Sequence, residues 1–455
     1  MQTDTQKESR LSKHFTFGSL VVFAIPNVVM MICLSMYTIV DGMFVSRILG
    51  TIALSAVNMV YPAICLEMSI AIMIATGGSA IISKKLGEGK EDEARRDFSF
   101  LVLVEIIIGL LFAIIGTLFT KQIVRLLGAS DLQLQMCIDY ARFIFAFAPA
   151  FFLQTAFQTF FVTAGKPTLG LIVTLSAGVA NILLDYVFMS PLSMGIKGAA
   201  IATGIGYCIP VLVGISYFLF TKKNVLRFVK PKFSGYVLLH SCTNGSSEMV
   251  TNLANAITTF LFNYTFMKFY GEDGVAAITI VLYFQYIFTA LYFGYSNGVA
   301  PIISYKYGSK DEKQLQSIFR YSLMILAISM ILSNLLVHLT LHQVITIFTP
   351  ASNNVYTIIV KGFLYYSISF IFMEIGIFAS ALFTAFSDGK ISAIISFART
   401  FVFTMGAILI LPLILDAFGA WIAVSVAEIL GAIVAIVFLF LKRHKYGYVK
   451  TRNKV

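Results

Sequence analysis

Charge is scarce in this chain. Asp, Glu, Lys and Arg make up 12% of its 455 residues and hydrophobic residues 58%, where soluble domains average about 25% and about 45–50%. The mean hydropathy of +0.87 agrees. Too little polar material is present to coat a soluble body of this length, which excludes an ordinary cytosolic enzyme and a disordered chain. Cys33, Cys65, Cys137, Cys208 and Cys242 are scattered, with no CxxC and no metal spacing. They read as small buried hydrophobes rather than a disulfide framework or a zinc site. No GxxxxGK[ST] or HExxH occurs, and the 5 His form no triad or metal spacing, so ATP-driven pumping and metalloprotease chemistry are not expected. The short alternating stretches of an outer-membrane barrel are missing as well.

Long apolar runs take their place. Runs of about 20 apolar residues cross a bilayer as helices, and twelve are expected near 17–44, 53–82, 98–119, 138–163, 168–190, 198–220, 237–268, 275–304, 317–342, 355–385, 391–414 and 418–441. The first is too long for the apolar core of a cleaved signal peptide and lacks a small-residue cleavage site. Of the 33 Lys and Arg, Arg142 and Arg399 lie within spans and six (Arg47, Lys121, Arg125, Lys197, Lys268 and Lys361) fall on one side, leaving 25 on the other. That asymmetry puts both termini in the cytoplasm. It also accounts for the formal +11 charge without a nucleic-acid partner.

The chain repeats itself. Ala80-Ile81-Ile82-Ser83-Lys84-Lys85-Leu86-Gly87 matches Pro301-Ile302-Ile303-Ser304-Tyr305-Lys306-Tyr307-Gly308 at an offset of 221. At the same offset Gly50 meets Gly271, and Gly198-Ala199 meets Gly419-Ala420. Thr163-Ala164-Gly165-Lys166 resembles Phe386-Ser387-Asp388-Gly389-Lys390 with a small gap. The expected architecture is all-α and membrane-integral: twelve transmembrane helices in two parallel six-helix lobes, related by a pseudo-two-fold axis along the membrane normal. The lobes would span 1–220 and 237–455, joined by a cytoplasmic linker, 221–236. Such repeats are typical of secondary transporters, which bind their cargo at the repeat interface.

Several stretches carry a family resemblance over residues 15–441. They are Pro26 in the first span, Val40-Asp41-Gly42-Met43-Phe44-Val45 with Leu49-Gly50, and Gly87-Glu88-Gly89-Lys90 after the second. Asn181-Ile182-Leu183-Leu184-Asp185-Tyr186 and Gly195-Ile196-Lys197-Gly198-Ala199-Ala200-Ile201-Ala202-Thr203 complete the set. In their order and spacing they resemble the multidrug and toxic compound extrusion (MATE) family of prokaryotic type. The resemblance implies a V-shaped antiporter of the cell membrane that expels organic cations and drugs in exchange for H⁺ or Na⁺. No cofactor besides that ion and no nucleic acid is implied, and the protein is expected to act as a monomer.

Carboxylates inside the spans are the informative charges, because each needs a partner, a wet cavity or a proton. Asp139 is expected to pair with Arg142 at i,i+3. Asn181 and Asp185 share a helix face at i,i+4, as do Tyr37 and Asp41, and Thr203 lies one turn into the sixth span. Two nearby carboxylates resist double ionisation, so the group can hold a proton. By resemblance, Asp41, Asn181, Asp185 and Thr203 match a network proposed for proton coupling in DinF-like members. Glu248, after Ser246 and Ser247 with Asn252 a turn on, and Glu374 in the tenth span resemble the acidic sites of members with a cation site in the C-lobe. Oxygen-rich surroundings also suit hard Na⁺. Tyr37, Glu67, Gln158, Tyr283 and Gln285 are candidate substrate contacts, helped by Met and aromatic side chains that accommodate lipophilic cations. Glu105 and Glu428 read as structural. The rival readings are a lipid-linked saccharide flippase, expected to line its cleft with Arg and Lys, an ion channel and a membrane enzyme.

Overall fold

The computed structural model describes residues 10–221 and 224–449. Lys7, Lys222, Lys223, Lys450, Arg452 and Lys454 of the cytoplasmic count lie outside the described residues. The helices run α1 (Phe17–Leu49), α2 (Thr51–Gly87), α3 (Glu91–Leu118), α4 (Thr120–Leu126), α5 (Asp131–Ala146), α6 (Ala148–Thr163), α7 (Pro167–Met189), α8 (Ile196–Phe220), α9 (Gly235–Gly308), α10 (Glu312–Phe348), α11 (Asn354–Ala385), α12 (Gly389–Phe397) and α13 (Gly406–Lys442). A 3₁₀ turn, Arg10–Ser12, precedes them, a π-helical stretch, Ala398–Met405, joins α12 to α13, and no strand occurs among the described residues.

Local chemistry sets the ends. Thr16 and Ser19 form a reciprocal capping box at α1, and Asp311, Asn353 and Asp388 accept main-chain N–H groups that open α10, α11 and α12. Each satisfies donors that a helix start leaves bare. Glu91, Asp92 and Glu93 sit in the first turn of α3, where the helix dipole favours negative charge. Apolar side chains such as Leu118, Ile331 and Leu413 are fully on the outside, at 71%, 68% and 74% exposure. A helix bundle with so much of its apolar surface outward needs lipid as its solvent.

The expected spans and the observed helices coincide closely, with two kinds of difference. The fourth expected span is a bent pair, α5 and α6, meeting at 53°, and α11 bends by 45° between 367 and 369. Conversely, α9 joins two expected spans through one break at Gly271, and α13 has a break at Asp416. At about 1.5 Å per residue, the 74 residues of α9 are over three times what a core of about 30 Å needs.

The internal repeat is written in the backbone. Gly50 (φ 89°) and Gly271 (φ 63°), Gly89 (φ 77°) and Lys310 (φ 56°), and Gly195 (φ 60°) and Asp416 (φ 50°) are left-handed pairs at the 221-residue offset. Gly165 and Ser387 form a fourth pair, one residue further apart. Lys310, Ser387 and Asp416 hold a conformation natural to glycine while carrying a side chain, which strains each of them.

The two halves meet where helices approach backbone to backbone. A Cβ on Gly77 would stand 2.0 Å from the Ser241 carbonyl oxygen, and one on Gly245 1.9 Å from that of Met73. At the ends of α2 and α9 the contact is reciprocal: Gly87 to the Tyr305 oxygen at 2.0 Å, Gly308 to the Lys84 oxygen at 2.1 Å. On the other crossing Gly294 packs on Val28, and Asn27 Nδ2 donates to the Gly294 oxygen at 2.6 Å. The halves are thus closed on the face that carries Lys84, Lys85 and Lys306. Gly77→Ala should cost about 1–3 kcal/mol as an overpacked contact and lower the Tm of the purified protein. Gly18→Ala, with no atom within 4 Å of the added carbon, should not lower it, and equal melting of the two would refute the close approach.

Candidate functional site

Three helices of the first half bring the predicted polar residues together. Tyr37 and Asp41 lie one turn apart on α1, Asn181 and Asp185 on α7, and Thr203 and Tyr207 on α8, and α7 packs against both neighbours. Asn181, Asp185 and Thr203 are 1%, 0% and 5% exposed. Asn181 Nδ2 donates to Thr203 Oγ1 at 3.3 Å, and Tyr37 reaches Thr203 as well.

The carboxyl groups of Asp41 and Asp185 face one another at hydrogen-bonding range. Asp41 Oδ1 and both Asp185 oxygens have no donor among the described residues. Two carboxylates cannot stand so in a low-dielectric interior, whereas one proton between them supplies the missing donor and removes the repulsion. Tyr140 of α5 and Tyr207 of α8 lie in the electrostatic field of both acids or of Asp41, and sequence reasoning missed both. Tyr207 carried a signal, being four residues beyond Thr203 on one helix face. Tyr140 carried none.

The remaining candidates are spread out. Glu67 on α2 is 1% exposed with Oε1 unpartnered among the described residues, and its charge, like that of Asp41, reaches Tyr207. Gln158 ties α6 to α7 by donating to Thr174 Oγ1 at 3.0 Å. Gln285 accepts from the Tyr366 hydroxyl within the second half. Tyr283 stacks near Phe348, 5.8 Å between ring centroids, beside an open cavity of about 500 Å³ next to the Gly271 break. The structure does not bring Gln158, Tyr283 or Gln285 to the acidic pair. Tyr286, one helical turn from Tyr283, is the residue directed at Tyr61 and Cys65 of α2.

In the second half, Glu248 and Glu374 are 4% and 2% exposed but answer to different neighbours. Glu374 accepts from Ser329 Oγ of α10 at 2.6 Å. Glu248 faces Arg399, and Asn252 Nδ2 donates to its main-chain oxygen at 2.9 Å instead of to its carboxylate. Arg399 Nη1 lies 3.5 Å from Glu428 Oε1. The expected Asp139–Arg142 pair is not formed. Asp139 takes Lys197 at 3.5 Å and the Gln135 amide at 3.1 Å, while Arg142 is exposed. Glu105 is fully buried with both oxygens unpartnered. No cluster of three His, Cys, Asp or Glu could hold a metal among the described residues.

The fold and site are those of a bundle of long apolar helices, duplicated at the 221-residue offset, with acids buried inside it. Comparison with known proteins fixes the family: the MatE family model matches twice, at residues 26–187 and 249–409, one copy per half. The chain belongs to the MatE family, and it is a transporter rather than an enzyme. It is 25% identical over 341 residues to the multidrug export protein MepA of Staphylococcus saprophyticus, covering 74% of each chain. To the probable multidrug resistance protein YoeA of Bacillus subtilis it is 27% identical over 368 residues, 77% of each. A solved multidrug resistance MATE transporter in an outward-facing conformation superposes with a TM-score of 0.90 at 20% identity, covering 98% of this chain and 100% of that one.

The shared proton is open to infrared spectroscopy. At neutral pH the wild type should show a carboxylic-acid carbonyl band that weakens in Asp185→Asn, and superimposable spectra of the two would exclude it.

Proposed function

We propose that the chain is a secondary multidrug efflux antiporter of the cell membrane. In this reading it exports lipophilic organic cations in exchange for protons, as a monomer, by alternating access. Splitting α9 at Gly271 and the α12–α13 helix at Asp416, and joining each bent pair, gives twelve spans. They divide into an N-lobe, 1–220, a linker, 221–236, and a C-lobe, 237–455, with both termini cytoplasmic. The names of its relatives support drug export, and the recurring left-handed turns support the two lobes.

The observation that carries the coupling is the carboxyl pair of Asp41 and Asp185, which has no cation beside it and no donor on three of its oxygens. Asn181 and Thr203 hold its geometry, and Tyr37 and Glu67 extend a cation-attracting surface beside it. Deprotonated, the group draws an organic cation from the cytoplasm. A proton entering from outside neutralises it, and the cation leaves outward. One pH unit across the membrane is worth about 1.4 kcal/mol per proton, about tenfold in accumulation. Glu248 and Glu374 are the second place where an ion could act. Gln158, Tyr283 and Gln285 remain candidates for cargo contact in other conformations. A flippase would need a cationic cleft, and Arg399, the one deep cation of the span assignment, is already paired with Glu428.

Proteoliposomes loaded with a fluorescent cationic dye test the proposal. Wild type should exchange dye for protons under an imposed pH gradient, while Asp41→Asn and Asp185→Asn should each lose at least about tenfold in rate, as removal of the group that carries the ion demands. Unchanged pH-driven efflux in both variants would sink it.

A further inference from the structure

The C-lobe carries an arrangement the coupling scheme does not use. Where α12 runs into α13 the helix widens into a π-helical stretch, Ala398–Met405, a distortion that is rare and concentrated at functional sites. Thr404 Oγ1 donates to the Arg399 main-chain oxygen, five residues back, at 2.8 Å. The stretch places Arg399 in a slot with glycine on both walls. A Cβ on Gly376 of α11 would stand 2.8 Å from Arg399 Cδ, and one on Gly431 of α13 2.8 Å from Arg399 Cγ. The stem is held, and the guanidinium, 5% exposed with its residue, is delivered to Glu428 at 3.5 Å. Glu428 Oε2 has no hydrogen-bond partner among the described residues, and Glu248 on α9, which makes no ion pair with Arg399, lies within reach of the same charge.

Two buried carboxylates in an oxygen-bearing interior are the kind of site that takes a hard monovalent cation. Here the cation is already present, and it is covalently attached. We propose that Arg399 is a tethered counter-cation that fills the cation position beside Glu428 and within reach of Glu248, so that the C-lobe of this chain takes up no free Na⁺ there. Arg399 then acts as a specificity-determining residue: it confines ion exchange to Asp41 and Asp185, where no cation is built in. This rests on the antiport reading above. The delocalised, always-charged guanidinium suits a permanent occupant, and a fixed charge binds without the entropic cost that a free ion would face.

The test is Na⁺ binding by purified protein, read as Tm in NaCl against choline chloride at equal ionic strength. Wild type and Arg399→Lys should melt alike in both salts. Arg399→Gln should melt a few degrees higher in Na⁺ alone, saturably, as ligand linkage requires, and adding Glu428→Gln should remove that response. If Arg399→Gln fails to fold, Gly376→Ala, which crowds Arg399 Cδ, displaces the guanidinium more gently and should show the same response at higher Na⁺. A folded Arg399→Gln or Gly376→Ala protein that ignores Na⁺ would overturn the proposal. So would a saturable Na⁺ shift in wild type that Glu248→Gln abolishes. Dye efflux separates the two ideas: wild type that moves no dye under any ion gradient defeats the antiport reading, whereas Na⁺ titration judges Arg399 by itself.

Discussion

Two acids meet inside the membrane with nothing positive beside them, and much of this protein follows from that. Asp41 and Asp185 come from helices α1 and α7 and face one another with three donorless oxygens. In water such a meeting would cost little, but in a low-dielectric interior a second negative charge is prohibitive. The pair is stable with a proton or with a cation in attendance. A group with those two alternatives is a device for exchanging one for the other, provided the surrounding helices let each in from a different side.

The helices that would provide the two sides are built for close approach. α2 and α9 touch through Gly77, Gly87, Gly245 and Gly308, where no room is left for a Cβ. The contacts are reciprocal under the repeat, Gly87 on Tyr305 and Gly308 on Lys84, so each half closes on the other by the same means. Where no hydrophobic drive separates helix from lipid, small residues and main-chain contact are the available adhesive. Such contact is made or broken as a whole, which suits two alternative arrangements of rigid halves better than a graded opening. In the antiport proposed above, the buried acids and the glycine contacts would solve complementary problems, one holding the exchanged ion and the other deciding which side is shut.

Much of this was legible in the amino-acid sequence, and the reasons are physical. Membrane spans announce themselves by length and apolarity, so helices such as α7 and α8 fall within a residue or two of their expected limits. The 221-residue repeat was visible in Gly50 and Gly271, because a left-handed turn selects glycine. It was invisible at Lys310 and Asp416, where the turn persists without it. The i,i+4 spacing puts Asn181 beside Asp185 whatever else happens, but Asp41, on another helix, was joined to them by family resemblance and not by any spacing. Other contacts across helices were not readable. Asp139 was assigned to Arg142 on its own helix, yet Lys197 from α8 claims it. The approach of Tyr286 to α2 and the ion pair of Arg399 with Glu428 likewise join residues from separate helical segments, which no local pattern reveals.

The central claim is that the Asp41–Asp185 pair holds one proton and gives it up when a cationic substrate binds. Counting protons is the direct measurement: purified protein in weakly buffered detergent solution is titrated with a tight-binding organic cation while released H⁺ is followed by a pH dye. The account predicts release approaching about one proton per substrate bound near neutral pH, as for two acids sharing a proton, and none from Asp185→Asn. Substrate binding with no proton release in the wild type, across the range where the pair would be protonated, would contradict it.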